Sequence, residues 1–148
     1  MKSRWSTAEV SALTNTTKRQ LNHWVTRRVV KPLPTGTGNN LEWSYLDLIG
    51  VSIIKELRDF GLPLSRIKPV IDGLDDAIDG TVNLYLVVSQ EDFYCIDYSW
   101  TEYINSENPP HLRPDTESHL VISISYIMSE LNYRLEKEGK EDRCTTII

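Results

Sequence analysis

Ser6-Thr7-Ala8-Glu9-Val10-Ser11-Ala12-Leu13-Thr14-Asn15-Thr16-Thr17-Lys18-Arg19-Gln20-Leu21-Asn22-His23-Trp24-Val25-Thr26 is the stretch that decides the fold of the first half of this chain. Ser6 and Glu9 open it as a capping box: the hydroxyl satisfies an orphan amide while the carboxylate reaches back. Val10 and Leu13 then make one apolar side of a short helix over residues 7–13. Thr14-Asn15-Thr16-Thr17 breaks that helix. Asn15 tolerates the left-handed conformation of a tight turn, and Thr17 or Thr16 is placed to cap a second helix. That second helix spans residues 18–26. At 100° per residue, Leu21, Trp24 and Val25 cluster on one side, while Arg19, Asn22, His23, Thr26 and Arg27 take the other. Two short helices, a tight turn and a polar, basic second helix read as a helix-turn-helix.

Outward from this unit, Pro32, Pro34, Gly36 and Gly38 punctuate a polar loop from Thr35 to Asn40. Val29 and Val30 before the loop, with Leu41 and Trp43 after it, are expected to pair as the short strands of a wing. Ser44 and Asp47 cap a third helix whose apolar residues Leu46, Ile49, Ile53, Leu57 and Phe60 keep helical spacing, and Gly61 stops it. Leu62-Pro63-Leu64 opens a fourth helix with Ile67, Val70 and Ile71; Gly73 and Asp79-Gly80 mark its exit. The second half changes period. Val82, Leu84, Leu86 and Val88, then Tyr94, Ile96, Tyr98 and Trp100, alternate as in a hairpin around Gln90-Glu91-Asp92. Residues 119–124 read as a third strand, favoured by their β-branched run over a single helix from Ser118 onward, feeding a helix from Ser125 to Glu138 with Ile127, Met128, Leu131 and Leu135 on one face. The expected class is therefore α+β: a winged helix-turn-helix over residues 1–75, a hairpin-plus-helix part over 80–139, and a frayed tail over 140–148.

The net charge of −5 conceals an asymmetry. Residues 1–70 hold eleven Lys and Arg against five Asp and Glu, whereas residues 71–148 hold five against sixteen. A basic head joined to an acidic body suggests that the head meets a polyanion and the body has another task. No run of 18 apolar residues exists, so no membrane span is expected. The start lacks an apolar signal core, and Cys95 and Cys144 lie far apart without a CxxC partner, which suits a cytoplasmic protein with reduced thiols.

The first half resembles the MerR-type winged-helix family of bacterial regulators. The likeness runs through Trp5-Ser6-Thr7-Ala8-Glu9-Val10-Ser11-Ala12-Leu13-Thr14 and Thr17-Lys18-Arg19-Gln20-Leu21-Asn22-His23-Trp24. It continues through Val29-Val30-Lys31-Pro32 and Trp43-Ser44-Tyr45-Leu46-Asp47-Leu48, and closes on Leu57-Arg58-Asp59-Phe60-Gly61-Leu62-Pro63-Leu64-Ser65-Arg66-Ile67. The order and spacing of the pieces carry it. The sequence also departs from the family. The recognition-helix arginine is Asn22 here, its first tyrosine is His23, and the wing triplet Gly-Tyr-Arg becomes Asn39-Asn40-Leu41. The long coiled coil that often comes after this segment is replaced by the acidic half.

The resemblance implies a helix over residues 18–26 inserted into the major groove of double-stranded DNA. Within it Arg19 suits a guanine and Asn22 an adenine. Thr17, Lys18, His23, Arg27, Arg28 and Arg4 suit phosphates, which supply affinity and register but not sequence. Asn39 and Asn40 are the wing candidates. Leu21 and Trp24 read as core, and Trp43 as packing at the base of the wing or touching the DNA backbone. No enzyme and no cofactor is expected. The three histidines lack metal-ligand spacing, and neither a glycine-rich phosphate loop nor a nucleophile elbow occurs. The competing reading is an excisionase-like architectural or protein-binding module. A homodimer is expected on the face of Ile127, Met128, Leu131 and Leu135, with packing of that face on its own hairpin as the alternative. The aromatic-rich second half leaves a small-molecule effector open as a further partner.

Overall fold

A computed structural model describes residues 3–36, 40–77, 84–88, 93–97 and 120–146. The elements are α1 (Thr7–Thr14), α2 (Lys18–Thr26), β1 (Leu33–Pro34), β2 (Leu41–Glu42), α3 (Tyr45–Phe60), α4 (Leu64–Ala77), β3 (Leu84–Val88), β4 (Phe93–Asp97), β5 (Leu120–Ser123) and α5 (Ile124–Thr146). The chain is α+β, with a helix-turn-helix at its N-terminal end and an antiparallel sheet followed by a helix in its second half.

Each of the first three helices opens on a complete capping box. Ser6 with Glu9, Thr17 with Gln20, and Ser44 with Asp47 exchange side-chain and backbone hydrogen bonds. Asn15 ends α1 in the left-handed region at φ 53°, and Gly61 ends α3 at φ 105°, where a Cβ would be strained. The short strands after α2 are Leu33–Pro34 against Leu41–Glu42, not Val29 and Val30 against Leu41 and Trp43. Val29 and Val30 are instead buried in the turn leaving α2, where the Val29 amide donates to the Trp24 carbonyl. Burial, not pairing, is what their β-branched side chains serve there. Trp43 exchanges two 2.9 Å backbone hydrogen bonds with Trp5 and donates its indole N–H to Thr7 Oγ1. Fully buried, it packs and does not face solvent.

The helix α3 runs through the centre. Because α1 and α5 cover one side of it and α4 another, its buried arc is Leu48, Ile49, Val51, Ile53, Ile54 and Leu57. Leu46 and Phe60, expected on the core face, are each 47% exposed. The helix α4 passes through Gly73 to Ala77, so its end falls between the two marks expected at its exit.

The sheet order is β4-β3-β5, all antiparallel, with Leu86 opposite Cys95 on one side and Ile122 on the other. Strict alternation on β3 does not hold. Leu86, Val87 and Val88 are all buried in this central strand. The helix α5 extends past Gly139 to Thr146, beyond the end expected at Glu138. Ile127 and Leu131 are buried in the chain's own core, with Met128 and Leu135 packed against it. The face expected from sequence to be a dimer surface is thus turned inward. One continuous cluster of buried side chains runs from Trp5 through α3 to Leu131 and joins the two halves.

Candidate nucleic-acid interface

The second helix sorts its residues as its sequence requires. Leu21 and Trp24 are buried against α1 and the core, and Val25 is half-buried. Lys18, Arg19, Asn22, His23, Thr26 and Arg27 are all exposed. His23 in the last turn and Arg27 at the C-cap suit the dipole of this helix, but the cations at its other end do not. Lys18 and Arg19 stand in the first turn, which holds no acidic residue. Cations there cost stability, typically about 0.3–1 kcal/mol each, because the N-terminal end of a helix is already positive. Their placement makes sense if the outward face has to meet negative charge.

Two grooves flank the helix. The first is lined by Arg4 and Ser6 before and at the cap of α1, Lys18 and Asn22 of α2, and Asn40 beside the strand pair. It brings together four of the residues expected from sequence. Asn40 is held by its carbonyl, which accepts the Thr35 amide at 3.1 Å and leaves the side chain exposed. Asn39 lies outside the described residues. The second groove, on the other side of α2, is lined by Thr17, Arg19, His23 and Arg27, facing Arg58, Ser65 and Lys68. Thr17 is engaged in the capping box, where its Oγ1 accepts the Gln20 amide at 3.0 Å. Arg28 lines neither groove; it sits exposed in the turn after α2 at φ 60°.

Arg58 and Lys68 are not singled out by the sequence. They belong to the same basic excess in residues 1–70, but α3 and α4 must fold beside α2 before they share its groove. Arg58 Nη1 also donates to the Leu62 carbonyl at 3.1 Å, tying the corner between the two helices. The exposed ion pair Lys31–Asp72, 3.8 Å apart, fastens the exit of α2 to α4.

The sequence of residues 5–74 matches the model of a family described as MerR HTH family regulatory protein. Residues 5–74 are a MerR-type helix-turn-helix segment. No curated protein matches the chain. The MerR-type segment covers α1 to α4 up to Leu74, and so contains α2 and both grooves; the sheet and α5 lie outside it. Among the described residues, no helix is long and apolar enough to cross a membrane.

Proposed function

We propose that the chain is a cytoplasmic, sequence-specific regulator of transcription whose α2 lies in the major groove of double-stranded DNA. The observation that carries this reading is the exposed basic face of α2, with Lys18 and Arg19 in a first turn that holds no acidic residue and Arg27 at the C-cap. Arg19 is the guanine-reading residue and Asn22 the adenine-reading one, since a guanidinium and an amide each match one purine edge bidentately. Lys18, His23, Thr17, Arg27, Arg28 and Arg4 are assigned to phosphates, joined by Arg58 and Lys68 across the second groove. Asn40 approaches the backbone from the β1–β2 side. The test is selection of bound duplexes from a random pool. A reproducible consensus supports the reading, and the absence of enrichment points instead to a module that grips protein.

We further propose that two copies act together, because one such helix offers few base contacts and half-sites about one helical turn apart multiply them. With Ile127 and Leu131 buried, the pairing face is the outer side of α5. Tyr126 and Tyr133, seven residues apart on one face, are 65% and 63% exposed there. A two-fold symmetric consensus, and a solution mass that halves in a Tyr126→Glu, Tyr133→Glu variant, are the expected results. A monomer at high micromolar concentration ends this part of the proposal.

A further inference from the structure

The turn between α1 and α2 sets the angle at which α2 leaves the body of the protein, and its carbonyls are held by side chains. The last carbonyls of any helix lack intrahelical partners, and cations complement the negative end of its dipole. Yet α1 has no basic residue in its last turn. The missing charge comes from elsewhere. Lys55 of α3 donates its ammonium to the Asn15 carbonyl at 3.1 Å. Arg134 of α5 donates Nη1 to the Leu13 carbonyl. Inside the turn, Ser11 Oγ donates to the Thr16 carbonyl, and the buried Thr14 and Thr16 hydroxyls bond each other at 2.7 Å. Of the described groups that bind these carbonyls, only Arg134 lies outside residues 5–74.

The base of Arg134 is itself fixed. Leu131 and Ile127, one and two turns earlier on α5, are buried in the common core. Tyr45 at the start of α3 donates its hydroxyl to Asn132 Oδ1 at 3.0 Å and approaches the Met128 carbonyl at 3.4 Å. The guanidinium therefore reaches the turn from a helix bolted at two levels to the same core that carries α1 and α3.

We infer that Arg134 is a positioning residue for the recognition helix: through the Leu13 carbonyl it fixes the α1–α2 turn, and with it the presentation of Arg19 and Asn22. This rests on the proposed DNA binding, but the brace can be measured without DNA. Arg134 is exposed, so its removal leaves the apolar core in place. The experiment compares the full chain with Arg134→Ala and Arg134→Lys variants. It reads amide hydrogen exchange residue by residue, the thermal midpoint, and affinity for the selected duplex.

The Ala variant is expected to exchange about tenfold faster at Asn15 to Lys18, the scale of one lost charge-assisted hydrogen bond. Duplex affinity should fall by a similar factor, with the thermal midpoint close to wild type, and Lys should restore most of both. Arg134→Met, which keeps the apolar stem and drops the donors, takes the place of the Ala variant if that one unfolds. Unchanged exchange at the turn overturns the inference. So does exchange that rises evenly through α1 and α3, which marks general destabilisation. If wild type binds no duplex, the DNA-binding reading fails while the exchange data still decide the brace.

Discussion

Arg19 and Arg27 stand two turns apart on the same groove and are expected to do different work. A guanidinium on a guanine edge discriminates between bases, whereas one on phosphate does not. Arg19→Ala is expected to cost about 1–3 kcal/mol on the preferred duplex and to flatten the preference at one base position. Arg27→Ala should weaken every sequence alike. Binding measured on the consensus and on its single-base variants separates the two; equal losses on all of them reduce Arg19 to a phosphate clamp. Tyr45 offers a residue-scale test of a different kind. Burial holds its phenol above the ordinary value of 10.0, and the Asn132 amide, which can turn oxygen or nitrogen toward it, offsets part of this. A raised value in the folded state means that the unfolded chain releases this proton first. The stabilisation is therefore complete below pH 10 and is lost as pH climbs from there through the folded value. Tyr45→Phe should lower stability by about 1 kcal/mol at neutral pH and remove this part of the alkaline decline, as read from denaturant unfolding at pH 7 and pH 11.

Helices α1 and α3 were legible because their capping pairs are spelled out within four residues of sequence, and α2 because Thr16-Thr17 offers a cap. Ser6 with Glu9 and Ser44 with Asp47 need no tertiary partner to start a helix, and the polar side of α2 could be read from its period alone. What was not legible depended on neighbours. Val29 and Val30 look like a strand because β-branched residues favour one, but the core claims them as turn residues. Gly73 looks like a stop, but the packing of α4 carries the helix over it. The apolar face of α5 was plain in the sequence, while its partner was not, since an amphipathic helix specifies only that something must cover it. Arg58 and Lys68 carry no local signal at all; their place in the second groove comes from the packing of α3 and α4 beside α2. Leu131 tests the element's assignment. It is 2% exposed, so Leu131→Glu buries a charge without a partner and should lower stability by about 3 kcal/mol or more. The loss should appear as unfolding at every protein concentration. If the variant stays folded and merely changes its solution mass, the helix face belongs to an interface after all.

At the scale of the whole molecule, charge is divided even though the core is not. The basic residues expected at DNA lie in α2, just before α1 and in α3 and α4, while residues 71–148 carry the acid excess. An overall charge of −5 would argue against a DNA-binding protein, but a local surface of opposite sign governs the encounter. Affinity should therefore fall steeply with salt. With roughly five phosphates neutralised, the logarithm of the binding constant should drop about 4–5 units per tenfold rise in salt. A slope near zero in a titration at several salt concentrations would remove phosphate contacts, and with them the function assigned to Arg4, Lys18, Arg27 and Arg28.

The shared core also has a consequence in time. Trp5 and Leu131 belong to one cluster, and contacts so distant along a chain form late. On the ribosome the helix-turn-helix is synthesised first, but the residues that cover α3 and brace its turn emerge roughly 60 residues later, about 3–12 s at ordinary rates of elongation. Until α5 emerges, the nascent chain carries an exposed apolar α3 and an unbraced recognition helix. The proposed competence to bind DNA is thus acquired only once α5 has emerged, and a chain truncated before residue 124 should be drawn to chaperones and proteases before it reaches an operator.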